Sequence, residues 1–360
     1  MYNAYGAVCI VQCVQKRGRE MAVTIRDVSE KCGLSISTVS KALNHYSDIS
    51  EETRKRVLET AKEIGYHPNA LARALKTNRS YNLGVLFADE FGSGLTHPFF
   101  SAVLDSFKRT AEQKGYDITF INHNINQRSM TFLEHCHYRN VDGVCVACID
   151  FYSPEIVQLM QSDLPAVTID HSFDNRSCVL SDNVAGMELL VYRAAQLGHT
   201  RIAYVHGKKS AVTKSRLTGF HRAMLANGIP VRNEYLEESD YQDSHKCYAV
   251  VQKLLKLPQP PTCIFVTDDL AAIGGMDAIR DSGLRIGEDV SIAGYDGHFL
   301  SQLMRPMLTT VKQNTVQMGQ RAAEMLIRAA EEPLTAGIQN VTVMGELIKG
   351  ETLRPVNPDI

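Results

Sequence analysis

The stretch Thr24-Ile25-Arg26-Asp27-Val28-Ser29-Glu30-Lys31-Cys32-Gly33-Leu34-Ser35-Ile36-Ser37-Thr38-Val39-Ser40-Lys41-Ala42-Leu43-Asn44 reads as two short helices joined by a tight turn. Thr24 caps the first helix, and Asp27 three residues on completes a capping box. Ile25, Val28 and Cys32 then share one helical face. Gly33 supplies the positive φ that ends the helix at little cost. Ser35 caps the second helix, whose Val39 and Leu43 sit four apart and face inward. Two short helices around a Gly-containing turn form the helix-turn-helix pattern.

A third helix follows. Ser50 caps it, Glu51 and Glu52 occupy its positive first turn, Val57, Ala61 and Ile64 form its buried stripe, and Gly65 ends it. Three helices with one apolar centre can stand alone, which leaves the outer face of the second free for a major groove. A helical bundle with no nucleic-acid role has the same periodicity, so motif context must separate the two.

That context is dense. Thr24-Ile25-x-Asp27-Val28, Ser35-x-x-Thr38-Val39-Ser40-Lys41-x-Leu43-Asn44, Glu52-Thr53-Arg54 and Gly65-Tyr66-x-Pro68-Asn69-x-x-Ala72-Arg73-x-Leu75 resemble the lactose-repressor/galactose-repressor (LacI/GalR) family of bacterial transcriptional regulators. The resemblance runs from about residue 21 to the C-terminus. It implies that Ile36, Ser37 and Lys41 lie at base-reading positions. Ile36 suits a thymine methyl and Lys41 suits guanine O6/N7. Thr24, Thr38, Ser40, Asn44 and Thr53 would contact phosphates and fix register. Asn69, Ala72, Arg73 and Leu75 match a hinge that becomes helical on the operator, with Leu75 as a minor-groove wedge that kinks the duplex.

Length and charge fit this reading. A chain of 360 residues exceeds the size at which one core stops growing. Residues 1–80 hold 13 Lys and Arg against 8 Asp and Glu; the rest holds 25 against 32, within a total of 38 against 40. A basic head on an acidic body suits a head that meets phosphate. The cysteine count of 9 is odd and the spacing scattered, which argues for a reducing, cytoplasmic setting. Cys145-x-x-Cys148 with His135-Cys136-His137 nearby raises a metal or redox alternative, but Val144 to Ile149 reads as a buried strand, where Cys is a small hydrophobe. The apolar run 7–14 is too short to span a bilayer and its positive charges follow it, the reverse of a signal peptide. Residues 1–20 are therefore expected to be an unfolded upstream extension. No membrane association, metal or cofactor is expected.

From residue 83 the rhythm changes to strands alternating with helices: apolar runs at 83–88, 116–122, 141–147 and 165–170, then again at 201–207, 261–268 and 290–296. Two such blocks predict two doubly wound α/β subdomains with a cleft between them. The family resemblance implies a periplasmic-binding-protein-like core crossed three times. The expected layout is a helix-turn-helix head at 21–68 and a hinge at 69–80. A first subdomain takes 81–179 with 309–333, and a second takes 180–308 with 334–360.

Ligands of open α/β sheets sit beyond the carboxyl ends of the strands. His97, Phe99 and Phe100 follow the first strand and resemble the family's Asn-Pro-Phe-Phe run; core packing is the alternative for the two rings. Asp182 opens the second block, in a motif completed by Asn183 and Gly186. Arg216 matches a family arginine that points into the cleft, and its guanidinium offers several donors in a fixed fork. Asp268 stands where the family usually has Asn, and Asp296 ends the next strand. Acidic acceptors, one arginine and aromatic rings suit a sugar or similar polyol; a purine or another small metabolite stays open.

Enzyme readings are weak. Gly92-x-Gly94 lacks the third glycine of a dinucleotide fingerprint, no phosphate loop or nucleophile elbow is present, and the row Asp170-His171-Ser172 is no triad, which is assembled in space. Residues 351–360 show no heptad repeat, so a homodimer on a two-fold-related operator is expected without a coiled-coil tetramer. A solute receptor without DNA regulation is the competing class; it would need an export signal and no head.

Overall fold

The structure, a computed structural model, describes residues 23–44, 46–67, 79–88, 94–125 and 127–356. Two compact units divide the chain at residues 80 and 81. The expected hinge residues Asn69, Ala72, Arg73 and Leu75, and the expected extension at 1–20, lie outside the described residues.

The first unit contains α1 (Ile25–Cys32), α2 (Ile36–Leu43) and α3 (Glu51–Glu63). The Asp27 carboxylate accepts from the Thr24 N–H at 2.7 Å and from its hydroxyl at 2.8 Å. Gly33 ends α1 at φ 61°. Ser35 Oγ accepts from Thr38 N–H at 3.1 Å and Ser50 Oγ from Thr53 N–H at 3.3 Å, so each helix starts on a satisfied cap. Val28, Cys32, Val39, Ala42, Val57 and Ala61 form the core, ringed by half-buried Ile25, Leu34, Leu43, Ile49, Ile64 and Tyr66. Each fully buried valine contributes about 1.5–3 kcal/mol, enough to hold three short helices that would be marginal alone.

The second unit holds two six-stranded sheets. Sheet one contains β1 (Asn82–Phe87), β2 (Asp117–Phe120), β5 (Gly143–Ala147), β6 (Ala166–Ile169), β7 (Ser177–Ser181) and β13 (Asn340–Val343), in the order β13-β7-β6-β5-β1-β2. A small antiparallel pair, β3 (Asn124–Ile125) and β4 (Arg128–Ser129), lies between β2 and β5 in sequence. Sheet two contains β8 (Ile202–His206), β9 (Leu236–Glu238), β10 (Cys263–Phe265), β11 (Ser291–Asp296), β12 (Thr309–Lys312) and β14 (Glu346–Ile348), in the order β14-β12-β11-β10-β8-β9. Only the β12–β14 pair in sheet two is antiparallel.

Helices cover both faces of each sheet. Those around sheet one are α4 (Pro98–Gln113), α5 (Phe132–Tyr138), α6 (Pro154–Gln161) and α12 (Thr315–Glu331). Those around sheet two are α7 (Asn183–Gln196), α8 (Ala211–Ala226), α9 (Ser244–Leu255), α10 (Asp269–Asp281) and α11 (Phe299–Leu303). Alternation along the strands explains the layers. Leu83, Val85, Cys145 and Ala147 join one core of sheet one, while Leu86, Val144 and Val146 join the core on its other face. Cys145 is thus a fully buried wall residue, and burial pushes its thiol up to about 12, which disfavours a reactive thiolate.

The expected subdomain boundaries shift. β7 runs through the expected break at 179/180 and stays wholly in sheet one. β12, expected in the first subdomain, pairs with β11 in sheet two through Ala293↔Thr309 to Asp296↔Lys312. β13, expected in the second, pairs with β7 in sheet one through Asn340↔Cys178 to Val343↔Ser181. The chain therefore crosses between sheets near residues 182, 313–314 and 344–345. These strands are short and mixed in polarity, so local pattern cannot say which sheet they complete.

Candidate functional site

In the head, the outer face of α2 carries Ile36, which is 44% exposed, with Ser37, Ser40, Lys41 and Asn44 at helical spacing along it. Thr24, Thr38 and Thr53 each lie in or just before the first turn of one of the three helices, where the helix dipole favours an anion. Asn44 Nδ2 donates to the Ser40 carbonyl at 2.7 Å, fixing the end of α2. Lys41 Nζ is paired with Asp48 Oδ2 at 2.5 Å, a partner the sequence did not suggest.

In the core, the strand ends converge on one buried guanidinium. Arg216, in the middle of α8, is 3% exposed. Its Nε donates to Asn183 Oδ1 at 2.8 Å, its Nη1 to the Thr267 carbonyl at 2.8 Å, and its Nη2 to Asp296 Oδ1 at 3.5 Å. Its plane lies over the Tyr295 ring at 3.6 Å, with Tyr241 at 5.7 Å on another side. A desolvated cation–π contact of this kind adds about 2 kcal/mol. Gly186 makes the arrangement possible, because a Cβ there would fall 2.0 Å from the Tyr295 hydroxyl.

Several residues at the strand ends and beside Tyr241 hold unusual backbone. Cys148 just after β5 (φ 52°), Asp170 just after β6 (φ 58°) and Asp296 at the end of β11 (φ 102°) all occupy the left-handed region, as does Gln242 beside Tyr241 (φ 59°). Non-glycine residues avoid that region, and such outliers collect where a site needs them. Asp170 Oδ1 accepts from Ser181 N–H at 3.0 Å. Burial pushes its carboxyl up to about 6; the Ser181 N–H and Arg216 oppose that shift and Asp296 adds to it. Gln313, at the β12-to-α12 crossing, donates from Nε2 to Asp296 Oδ1 at 2.7 Å, while its buried Oε1 has no hydrogen-bond partner among the described residues. Phe151 and His171 stack at 4.3 Å and 5°, with Phe173 and Tyr152 edge-on to the histidine, forming an aromatic shelf beyond β5 and β6.

The other expected ligand contacts divide. Asp182 is half-buried and caps α7 through Ala185 N–H at 2.9 Å. His97 precedes Pro98 at the start of α4, and its ring meets that of half-buried Phe100 at 4.8 Å. Phe99 belongs to the core of sheet one, the packing role named as its alternative. Asp268 has a structural role as well. It is 2% exposed; Oδ1 accepts from Leu270 and Ala271 N–H, capping α10, and Oδ2 accepts from Gln242 N–H at 2.7 Å. Its carboxylate fixes the loop that carries Tyr241. The sequence reading passed over Gln313 and Tyr241, which carry no motif, and weighed Asp170 only as part of the row Asp170-His171-Ser172.

Asp170 gives a pH-dependent expectation. Its folded pKa lies above the unfolded value of 3.8, so the folded core binds this proton more tightly and loses stability as pH rises from about 4 through about 6. Asp170→Asn keeps the acceptor for Ser181 and removes the charge. Its stability advantage over the natural protein should be absent near pH 4 and reach roughly 1–3 kcal/mol by pH 7, after allowing for partial solvent screening. Denaturant melts at several pH values read it; a pH-independent difference contradicts it.

A three-helix head of the helix-turn-helix kind joined in one chain to a two-sheet core with polar groups gathered at the strand ends defines the class: a DNA-binding protein with a receptor-like core. Comparisons with known proteins agree. "Bacterial regulatory proteins, lacI family" matches residues 24–69 and "Periplasmic binding protein-like domain" matches residues 191–353. The chain is 31% identical over 317 residues to the HTH-type transcriptional repressor PurR of Aliivibrio fischeri (strain ATCC 700601 / ES114), covering 86% of this chain and 92% of that protein. It is 30% identical over 318 residues to the probable HTH-type transcriptional repressor ExuR of Bacillus subtilis (strain 168), covering 87% and 93%. Among solved structures, the lac repressor dimer bound to operator and the anti-inducer ONPF superposes with a TM-score of 0.77 at 28% identity, covering 92% of this chain and 99% of that one. The chain belongs to the lacI family of bacterial regulatory proteins and is a helix-turn-helix transcriptional regulator.

Proposed function

We propose that this regulator is a repressor that grips a two-fold-related operator as a homodimer and releases or tightens that grip when a small polyol, a sugar or sugar derivative, enters the core at Arg216. The observation that carries the reading is the Arg216 cluster itself: one buried, fully oriented guanidinium amid carboxylates at the ends of parallel strands. Asp170 stands on the wall of sheet one, and Asp296 and Tyr241 on the wall of sheet two. Gln313, Asp182 and Asn183 sit at or beside the crossings between the sheets. A hydroxylated ligand would donate to Asp170, Asp296 and Gln313 Oε1 and lay a ring face on the Phe151–His171 shelf.

Groups from both walls and from the crossings meet at one place, so a ligand there binds differently to different angles between the sheets. That difference is the free energy that couples the site to the head, and the coupling is reciprocal. The lac repressor, a structural neighbour whose dimer was solved bound to operator and an anti-inducer, is a protein of this fold that holds both kinds of partner. On the DNA side, Ile36, Ser37 and Lys41 are the proposed base readers, Thr24, Thr38, Ser40, Asn44 and Thr53 the phosphate contacts, and Leu75 the groove wedge. The second copy would dock on an apolar patch of sheet two's helices: Ile273 of α10 with Phe299, Leu300 and Leu303 of α11, all exposed in the single chain.

A thermal-shift screen of neutral sugars, sugar acids and nucleobases tests the effector. A true ligand at about 100 times its Kd adds roughly 2.7 kcal/mol. The same compound must change the affinity for a duplex selected from random DNA; stabilisation without that change leaves a receptor that does not regulate. Lys41→Ala should weaken the selected duplex by about 1–3 kcal/mol and random duplex by less. Equal losses on both remove Lys41 from base reading.

A further inference from the structure

The ion pair on the recognition helix has no place in the account above. Three ion pairs occur among the described residues of the head: Lys31–Glu63, Arg54–Glu51 and Lys41–Asp48. Of these, only Lys41–Asp48 involves α2. It puts a carboxylate beside a proposed base reader, on the face that meets a polyanion. The carboxylate is held there by the backbone. Tyr46 N–H donates to the Lys41 carbonyl at 3.1 Å, Ile49 N–H to the Tyr46 carbonyl at 3.4 Å, and Arg54 Nη2 to the same Tyr46 carbonyl at 3.0 Å. Ile49 is packed against the head's core. The loop carrying Asp48 is thereby folded back on the last turn of α2. Both side chains stay open to solvent, at 40% for Lys41 and 53% for Asp48.

We propose that Asp48 is a specificity residue of the head: it holds the Lys41 ammonium back from indiscriminate phosphate contact and yields it to guanine. This inference rests on Lys41 being a base reader. Its direction follows from magnitudes. An exposed ion pair shifts an equilibrium by only about two- to fivefold, so it is readily broken. A lysine on guanine O6/N7 discriminates by roughly five- to hundredfold, which outweighs the lost pair. A lone phosphate offers an exposed lysine far less, and breaking the pair to reach it leaves the Asp48 carboxylate facing the duplex. Random DNA therefore meets a neutral pair, and a site with guanine in register meets a lysine. The Lys41 pKa is raised chiefly by its hydrogen bond to Asp48, and the Asp48 pKa is lowered chiefly by the same bond, consistent with a formed pair in the free head.

The test uses full-length protein with four sequences: natural, Asp48→Asn, Lys41→Ala and the double variant. Each is titrated against a duplex selected from a random pool and against a scrambled duplex, over a range of salt. Circular dichroism confirms that the exposed substitutions leave the fold intact. Asp48→Asn should, for each head engaged, raise affinity for the scrambled duplex about two- to fivefold, steepen its log–log salt slope by about one, and raise the selected duplex by less, so the ratio between them falls. With Lys41 already replaced, the same change should move the scrambled duplex by less than about twofold and leave the slope alone. Equal gains in both backgrounds overturn the proposal in favour of plain repulsion between Asp48 and phosphate. A loss on the selected duplex with a changed base preference overturns it in favour of direct acceptance by Asp48 from a cytosine amino group. If Lys41→Ala alone lowers both duplexes equally, the base-reading assignment fails, separately from the Asp48 comparison.

Discussion

Arg216→Ala should abolish every effector-dependent change in DNA affinity and destabilise the core by about 3–5 kcal/mol, while the isolated grip of the head on duplex DNA persists. The substitution removes the donor to Asn183, the Thr267 carbonyl and Asp296 together. It leaves a buried acceptor set with no cation and the Tyr295 ring with no partner on its face. Arg216→Lys keeps the charge but offers one ammonium where a planar fork served three acceptors, so it should recover part of the stability and little of the response. Two measurements separate the effects: a denaturation curve for the core, and a DNA titration with and without the ligand found by thermal shift, at a temperature where the variant is folded. A folded Arg216→Ala protein with a normal response would place the effector elsewhere.

Ile273→Asp combined with Phe299→Asp should turn a dimer into a monomer and lower operator affinity by roughly two to four orders of magnitude, because two half-sites bind far more tightly when tethered. Phe299 is 65% exposed and Ile273 38% exposed in the single chain, so the substitutions cost its own fold little. Beside them, Met276, Arg280, Met304 and Arg305 line a shallow groove that a partner side chain can fill. Sedimentation gives the mass and a titration gives the affinity. A double variant that stays dimeric, or a monomer that binds the operator undiminished, would refute this interface.

The head was legible almost residue by residue, because its signals are local. A cap acts three residues away and a helical face repeats within eight, so Thr24, Asp27, Gly33, Ser35 and Ser50 could be assigned without knowing the rest. Even so, Ala42 proved to be the deeper residue beside half-buried Leu43, and the Lys41–Asp48 pair was invisible, since it needs the loop after α2 to fold back. In the core, the long apolar runs gave most of the parallel strands. β3, β4, β7, β9, β12, β13 and β14 escaped, being short strands whose pattern is not a clean apolar run.

What the chain's order of residues determined by itself was a three-helix head, two blocks of alternating strand and helix, and a set of polar residues at strand ends. Caps, periodicity and apolar runs act over a few residues, so they can be read in one dimension. Only the tertiary structure decided which sheet the late strands complete, that Asp268 serves as a helix cap, and that Asp170 and Gln313 join the cluster. Those outcomes turn on contacts across long spans of chain. Arg216 reaches partners 33, 51 and 80 residues away, and burial among such partners, set by the crossings between the sheets, fixes each carboxylate's role and its protonation.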